Sequence, residues 1–159
     1  PEKAVHAAAF VCRLLGAVPQ ARLDWVLYMA ERGHINEYGR PVIGLRFRSV
    51  SGMPRSFEFG SAEPDAEGFG PLGFDGRLFH AVSGAALREG LFSESDVEAL
   101  EAACAKWLAL GREPEARDMP GGWDDAPPGE WLGAELMVPP ARRSRWMEDM
   151  GWLAGDAVF

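Results

Sequence analysis

Few side chains in this sequence could do chemistry, and their spacing does not favour it. Metal sites use pairs such as Cys-x-x-Cys or His-x-x-x-His, whose spacing points two ligands at one ion. The two cysteines and three histidines never come at such a spacing; they are Cys12, Cys104, His6, His34 and His80. Both cysteines lie in apolar, helix-like runs, where a reduced and buried thiol is the usual state. The sequence therefore predicts no metal site and no disulfide.

Catalytic sets of residues are equally incomplete. A hydrolase triad needs a nucleophile, a base and an orienting acid, and the chain has no Gly-x-Ser-x-Gly elbow. Cys12 and His6 are six positions apart in one predicted helix, so they do not share a face. The acids at 94–98 are typical of a helix start, and Asp124 and Asp125 of a solvated turn. The stretch "GFGPLG" lacks the lysine that follows a phosphate-binding loop. We therefore expect a protein without enzymatic activity and without a cofactor.

The composition is that of one globular domain. The chain has 159 residues, of which 47% are hydrophobic and 25% charged, and a chain of this length can bury a substantial core. Its 24 acidic and 16 basic residues give a formal net charge of -8, which repels a phosphate polymer. We therefore expect no direct binding to nucleic acid. The stretch "ARRSRW" is the one candidate for a local basic patch.

Membrane attachment is not expected either. No run approaches the roughly 20 apolar residues that cross a bilayer. The apolar segment 4–15 lacks the charged start and cleavage pattern of a secretory signal peptide. A cytoplasmic location is the expectation.

Two helices are predicted near the start of the chain. Apolar residues at a period of 3.6 indicate a first helix over residues 4–15, with His6 and Arg13 on or near its polar side. A second helix is predicted over Ala21–Tyr38, with Gly39 as its C-cap. Its apolar residues extend nearly all round, which is typical of a central, well-covered helix.

A small β element is predicted next. Residues 40–50 alternate imperfectly between apolar and polar, and Gly44 suggests a bulge. "SGMP" is a turn, and "RSFEFG" reads either as a partner strand or as a short helix. The stretch 60–76 is rich in glycine, proline and acid, which predicts an irregular or flexible loop. "RLFHAVSG" then reads as a short strand.

The clearest helix begins after Ser93, whose hydroxyl can accept the N–H of Asp96, while Ser95 and Glu98 spell a capping box. Gly111 ends it, and its predicted buried face consists of Val97, Leu100, Ala103, Cys104, Trp107 and Leu108. The part from 112 to 159 is broken by proline and glycine and carries four tryptophans, with short helices expected at 129–136 and 141–153. We predict a single domain over 1–159, mainly α with a small β element (α+β).

Two blocks of the sequence carry a family resemblance. "LDWVLYMAERGHINEYGRPVIGLRFRSVSGMP" joins a helix with a Leu-Tyr-x-Ala element to a Gly-x-Pro turn, an aromatic residue and a final Gly-x-Pro. "LFSESDVEALEAACAKW" begins with a Leu-x-Ser-x-Ser-Asp helix start, and "ARDMPGGW" ends in a tryptophan. In these features the chain resembles the Panacea, or SocA-like, antitoxin domain. The matching residues are Leu27, Tyr28, Ala30, Gly39, Arg40, Pro41, Phe47, Gly52, Pro54 and Trp123.

The resemblance implies a mainly helical domain with a small β element and a non-catalytic function. Members of the family neutralise toxins by direct binding, occur in bacterial and phage genomes, and can act as adaptors that hand a partner to a protease. The expected partner is therefore a protein, a cognate toxin and possibly a protease system, while the oligomeric state stays open. The expected interface consists of Tyr38, Arg40, Met53, Pro54, Arg55 and Trp123.

Two alternatives remain open at this point. The chain could inhibit a bacterial or phage defence complex, which would use a docking surface of the same kind. It could also be a small enzyme that closes the loop at 60–76 over a pocket. The excess negative charge favours a basic partner, because opposite charges speed the encounter.

Overall fold

The structure, a computed structural model, describes residues 2–60, 70–120, 123 and 129–133. Within these ranges the chain is mainly α with a small β component, as predicted. The helices are α1 (Glu2–Leu15), α2 (Gln20–Tyr38), α3 (Phe57–Gly60) and α4 (Glu94–Leu110), and the strands are β1 (Phe47–Val50), β2 (Met53–Ser56), β3 (Leu72–Phe74) and β4 (Phe79–Ala81). Single 3-10 turns lie at Glu89–Leu91 and Ala116–Asp118. None of the helices in the described ranges is both long and apolar enough to cross a bilayer.

α1 buries an alanine-rich face, and these small side chains let α4, β3 and β4 approach closely. His6 was predicted on or near the polar side of this helix, but it is buried. Its Nδ1 accepts the backbone N–H of Arg88 at 3.1 Å. The prediction was wrong because the ring accepts a hydrogen bond from a residue 82 positions away in sequence. Helical periodicity carries no information about such a partner.

α2 is the central helix, as its nearly continuous apolar surface predicted. It packs against α4, β2 and α1, and Leu23, Val26 and Leu27 are fully buried. Gly39 ends the helix in the left-handed conformation, with φ 77°, and its N–H bonds to the carbonyl of Ile35 at 2.8 Å, which confirms the predicted C-cap.

β1 and β2 form a hairpin in which Phe47 lies opposite Ser56 and Val50 opposite Met53. The turn residues Ser51 and Gly52 both have positive φ, 53° and 78°, as a two-residue type I′ turn requires. The stretch "RSFEFG", predicted as either a strand or a short helix, forms both in succession. β2 ends at Ser56, and α3 begins with the next residue.

A second hairpin corrects part of the loop prediction. Residues 72–74 form β3 and pair with β4, although they fall within the stretch predicted to be irregular. Phe79 of β4 is fully buried and stacks on Phe74 with ring centres 4.5 Å apart. This burial outweighs the local turn propensity of the surrounding glycines. Residue 60 of that predicted loop ends α3, and residues 61–69 lie outside the described ranges.

α4 begins with a capping box, in which Ser93 accepts the N–H of Asp96 and Asp96 accepts the N–H of Ser93. The predicted bond from the Asp96 N–H to Ser93 is thus confirmed, while the box lies two residues earlier than the predicted pair of Ser95 and Glu98. Gly111 ends the helix with φ 65°, as predicted. Leu108 was predicted to be buried but is 61% exposed, because the contacts of α4 with α2 and α1 leave its side of the helix uncovered.

The C-terminal part is described only in places. Leu132 is buried and exchanges two backbone hydrogen bonds with Phe47, at 2.9 and 2.6 Å. Residues 129–133 thus carry a β-bridge to β1 in place of the predicted helix. Residues 134–136, the predicted helix at 141–153 and the tryptophans Trp146 and Trp152 lie outside the described ranges.

Candidate partner-binding surface

The structure divides the six predicted interface residues into three pairs. Tyr38 and Arg40 lie at the C-terminal end of α2, where both are exposed. Met53 and Arg55 lie on β2 and are half-buried, and their side chains share the outward side of the hairpin. The remaining two residues, Pro54 and Trp123, are buried. Four of the six predicted interface residues are therefore at least partly accessible, and they lie at two separate places in the fold.

Trp123 packs inside the chain because it holds the turn of the first hairpin. Its Nε1 donates a hydrogen bond to the carbonyl of Gly52 at 2.9 Å. Its ring meets Tyr28 edge to face, with centres 4.8 Å apart. A Cβ at Gly52 would lie 2.8 Å from the Cβ of Ala116, so the chain approaches the turn from this side as well. Trp123 contributes to the shape of the hairpin and not to its exposed surface.

The Tyr38 and Arg40 group belongs to a polar junction between α2 and α4. Arg40 donates to Asp96 Oδ1 at 3.0 Å and to Ser93 Oγ at 2.9 Å. Lys3 Nζ donates to Asp96 Oδ2 at 2.9 Å. Burial opposes ionisation of Asp96, but the hydrogen bonds from Lys3 and the Ser93 N–H, with the nearby Arg40, lower its pKa below the usual value. These contacts tie the start of α4 to the start of α1 and to the residues that follow the end of α2.

His34 lies at the centre of this junction, fully buried. Its Nδ1–H donates to the carbonyl of Arg40 at 2.6 Å, and its Nε2 lies 2.9 Å from Ser95 Oγ. The tyrosine ring of Tyr38 lies over it, with ring centres 4.7 Å apart. The junction faces a groove of about 310 Å³ between α2 and α4.

The contact of Ser95 with His34 invites comparison with a serine hydrolase. In a catalytic triad the acid binds the ring nitrogen that faces away from the serine. Here the carboxylate of Asp96 lies 3.3 Å from Nε2, the nitrogen that also faces Ser95, and a backbone carbonyl takes the other position. Ser95 Oγ is also 3.0 Å from Ser93 Oγ at the helix start. The arrangement therefore fits the capping of α4 better than nucleophilic catalysis.

Two buried carboxyls of α2 anchor the first hairpin at both ends. Glu31 accepts the backbone N–H groups of Ile43, Gly44 and Leu45 at 2.7, 2.8 and 3.2 Å. Burial raises the pKa of Glu31 to about 7, although these three hydrogen bonds lower it. Gly44 has φ 94°, so the feature predicted as a strand bulge is a turn wrapped around this carboxyl.

The second anchor is Asp24, whose Oδ1 accepts the hydroxyl of Ser56 at 2.5 Å. Its Oδ2 is buried and has no hydrogen-bond partner among the described residues. Burial raises the pKa of Asp24 to about 7, against the hydrogen bonds from Ser56 and the charge of Arg55. Glu31 thus holds the segment that leads into β1, and Asp24 holds the last residue of β2. Both ends of the hairpin are tied in this way to the central helix.

The outward side of this hairpin combines exposed aromatic rings with arginines. We call it the outer hairpin face and define it by Arg46, Arg48, Val50, Met53, Arg55, Phe57 and the adjacent Trp131. Phe57 is 44% exposed and Trp131 39% exposed, and their rings meet edge to face with centres 5.1 Å apart. The guanidinium carbon of Arg46 lies 4.1 Å from the ring centre of Phe57, and that of Arg48 lies 4.8 Å from the ring centre of Trp131.

A concavity of about 380 Å³ opens on this face, between the hairpin, the start of α3 and Trp131. Arginines and exposed aromatic rings are the side chains most enriched at the energetic centres of protein interfaces. The face combines both residue types beside the concavity, which suits it to binding another protein.

Sequence reasoning selected Met53 and Arg55 on this face but missed Arg46, Arg48, Phe57 and Trp131. The alternation of "RFRSV" was a usable signal, because residues two apart on a strand share one side and Phe47 is the buried one. The position of Trp131 had no such signal, since it depends on the bridge between Leu132 and Phe47. The described residues also contain no cluster of His, Cys, Asp and Glu that could hold a metal ion.

Comparison with known proteins adds no relative: no family model, no curated protein and no solved structure matches this chain. The resemblance to the Panacea domain therefore rests on the motifs quoted above, and the function has to be argued from the geometry of the surface.

Proposed function

We propose that this chain is a protein-binding module that neutralises a partner protein by direct contact, as an antitoxin neutralises its toxin. One observation carries the proposal: an exposed Phe57–Trp131 pair, flanked by arginines, lies beside a hairpin that two buried carboxyls tie to the central helix. A rigid surface binds with little loss of conformational freedom, so its apolar contacts contribute more of their free energy to affinity.

The motif resemblance supports the same function. Its matching residues hold the framework of the hairpin: Tyr28 and Phe47 meet edge to face with centres 5.3 Å apart, and Gly52 accepts the Trp123 hydrogen bond. In this proposal the protein acts in the cytoplasm of a bacterium or as a phage product. It either blocks the toxin or delivers it to a protease.

Co-expression tests the proposal. The gene beside this one should encode a small protein that stops growth, and co-expression of this chain should restore growth. The double variant Phe57→Ser/Trp131→Ser should lose the rescue, because loss of two aromatic anchors lowers affinity by about a hundredfold or more.

The matched control is Val82→Ser/Leu108→Ser. It removes two exposed apolar side chains away from the outer hairpin face: Val82 directly follows β4, and Leu108 lies on α4. It should rescue growth as well as the natural chain does. A neighbouring protein that is harmless when expressed alone would contradict the antitoxin function. Co-purification with a defence complex in the absence of a toxin would instead support the alternative of a defence inhibitor.

A further inference from the structure

The outer hairpin face contains a pair of like charges at opposite strand positions. Arg48 and Arg55 occupy directly opposite positions on β1 and β2, so their side chains leave the hairpin on the same side. Like charges at opposite positions of an antiparallel pair destabilise it. Among the described residues neither arginine has a carboxylate within 4 Å.

A third arginine adds to the same local charge. Arg46 lies two positions before Arg48, and its nearest described carboxylate is that of Glu58, whose Oε1 is 3.9 Å from Arg46 Nε. Three cations thus converge on one face of a protein whose net charge is -8. The local charge is opposite to the average, so the average does not predict what binds here.

From this surface we infer that the partner presents an acidic segment with one apolar side chain to the outer hairpin face. The inference rests on the proposed function, because it assumes a protein partner. Two guanidinium groups lie against aromatic rings, an arrangement that holds a guanidinium by its face; the N–H edge of Arg48 is then free to pair with a carboxylate. The concavity of about 380 Å³ that Phe57 and Trp131 help to line receives the apolar side chain.

This inference replaces the expectation of a basic partner for this face. A single-stranded nucleic acid would also meet arginines and aromatic rings, but two features disfavour it. The rest of the chain repels a phosphate polymer, and a guanidinium already lies over each of the two rings on which bases would stack.

Three fluorescent probes test the inference by anisotropy with the full chain. The first is a short peptide of Asp and Glu residues around one central Phe, the second is the same peptide with Asn and Gln in their place, and the third is single-stranded oligothymidylate. We expect the acidic peptide to bind most tightly, and its affinity to fall as salt is added, because salt screens the charges.

The variants separate the local charge from the overall charge. Arg48→Glu/Arg55→Glu should weaken binding of the acidic peptide by about tenfold or more. Arg77→Glu/Arg117→Glu changes the net charge equally at exposed positions outside the face and should bind as the natural chain does. The single variant Arg48→Glu is a second test, because it places a carboxylate opposite Arg55, and circular dichroism shows whether the variant keeps its fold.

Several results would overturn the inference: no binding of the acidic peptide, equal binding of the uncharged peptide, tighter binding of oligothymidylate, or equal losses in both double variants. Its failure can be told apart from failure of the proposed function. If Arg48→Glu/Arg55→Glu still rescues growth in the co-expression assay, the acidic segment is wrong and the neutralising function stands. If the peptide results are as expected but no toxin is found, the acidic-segment inference is kept and the antitoxin function is rejected.

Discussion

The hydroxyl of Ser56 donates a 2.5 Å hydrogen bond to the buried carboxyl of Asp24, and this contact joins the last residue of β2 to the central helix. The same hydroxyl accepts the N–H of Phe59 at 3.3 Å, so it also fixes the start of α3. Phe57 lies between these two contacts. The orientation of the most exposed aromatic ring on the outer hairpin face therefore depends on a carboxyl that is itself inaccessible.

The first prediction concerns pH. Burial raises the pKa of Asp24 from 3.8 to about 7 and that of Glu31 from 4.5 to about 7. Between these limits the folded protein holds protons that the unfolded chain has released, so raising the pH destabilises the fold. The free energy of unfolding should fall as the pH rises from about 4 to about 7, and this contribution should be constant above that range.

Urea denaturation at a series of pH values measures this slope. Asp24→Asn should make the slope smaller and leave the part that Glu31 contributes, because an amide does not titrate and its oxygen can still accept the Ser56 hydroxyl. Asp75→Asn, at an exposed turn position, serves as the control and should leave the slope between pH 5 and pH 7 unchanged. An identical slope in the natural chain and in Asp24→Asn would show that Asp24 is already ionised when buried.

The second prediction concerns the other anchor of the hairpin. Glu31→Gln replaces one acceptor oxygen by an NH2 group that faces backbone N–H donors, so at least one buried donor loses its partner. The free energy of unfolding should fall by about 2 kcal/mol. Glu37→Gln, an exposed position on the same helix, should change it by less than about 0.5 kcal/mol. If the two substitutions changed the free energy of unfolding equally, Glu31 would not be an anchor of the hairpin.

The third prediction separates stability from binding. Arg48→Glu converts a like-charge pair with Arg55 into an opposite-charge pair, which should stabilise the hairpin by about 0.5 kcal/mol. The same variant should bind the acidic probe less tightly than the natural chain. Thermal unfolding and anisotropy measured on one preparation test both effects. A drop in melting temperature would mean that loss of the Arg48–Trp131 contact outweighs the gain from the opposite-charge pair.

The fourth prediction tests the core against the surface with one type of substitution. Leu27 is fully buried in the central helix, whereas Leu108 is 61% exposed. Leu27→Asp should leave the chain unfolded, because an unpaired charge in the core costs several kcal/mol. Leu108→Asp should fold with nearly unchanged stability. Circular dichroism of the two proteins is sufficient, and a folded Leu27→Asp would contradict the central position of α2.

Local patterns in the sequence were enough to predict the main helices. The apolar periodicity of α2, its end at Gly39 and the start of α4 at Ser93 all agree with the structure. These features depend on contacts within a few residues of the chain, and the preferences of glycine and serine at helix ends act over the same short range. The two-residue turn at Ser51 and Gly52 is local in the same way.

The buried polar residues and the outer hairpin face were not readable from such patterns. His6, Asp24 and Glu31 looked like ordinary polar positions on helices, and each is buried because it accepts a hydrogen bond from a distant part of the chain. Trp131 reaches the hairpin through the bridge of Leu132 to Phe47, residues 85 positions apart by their numbering. Helix and turn signals act along the chain, whereas these positions depend on which distant donors, rings and charges come together when the helices pack.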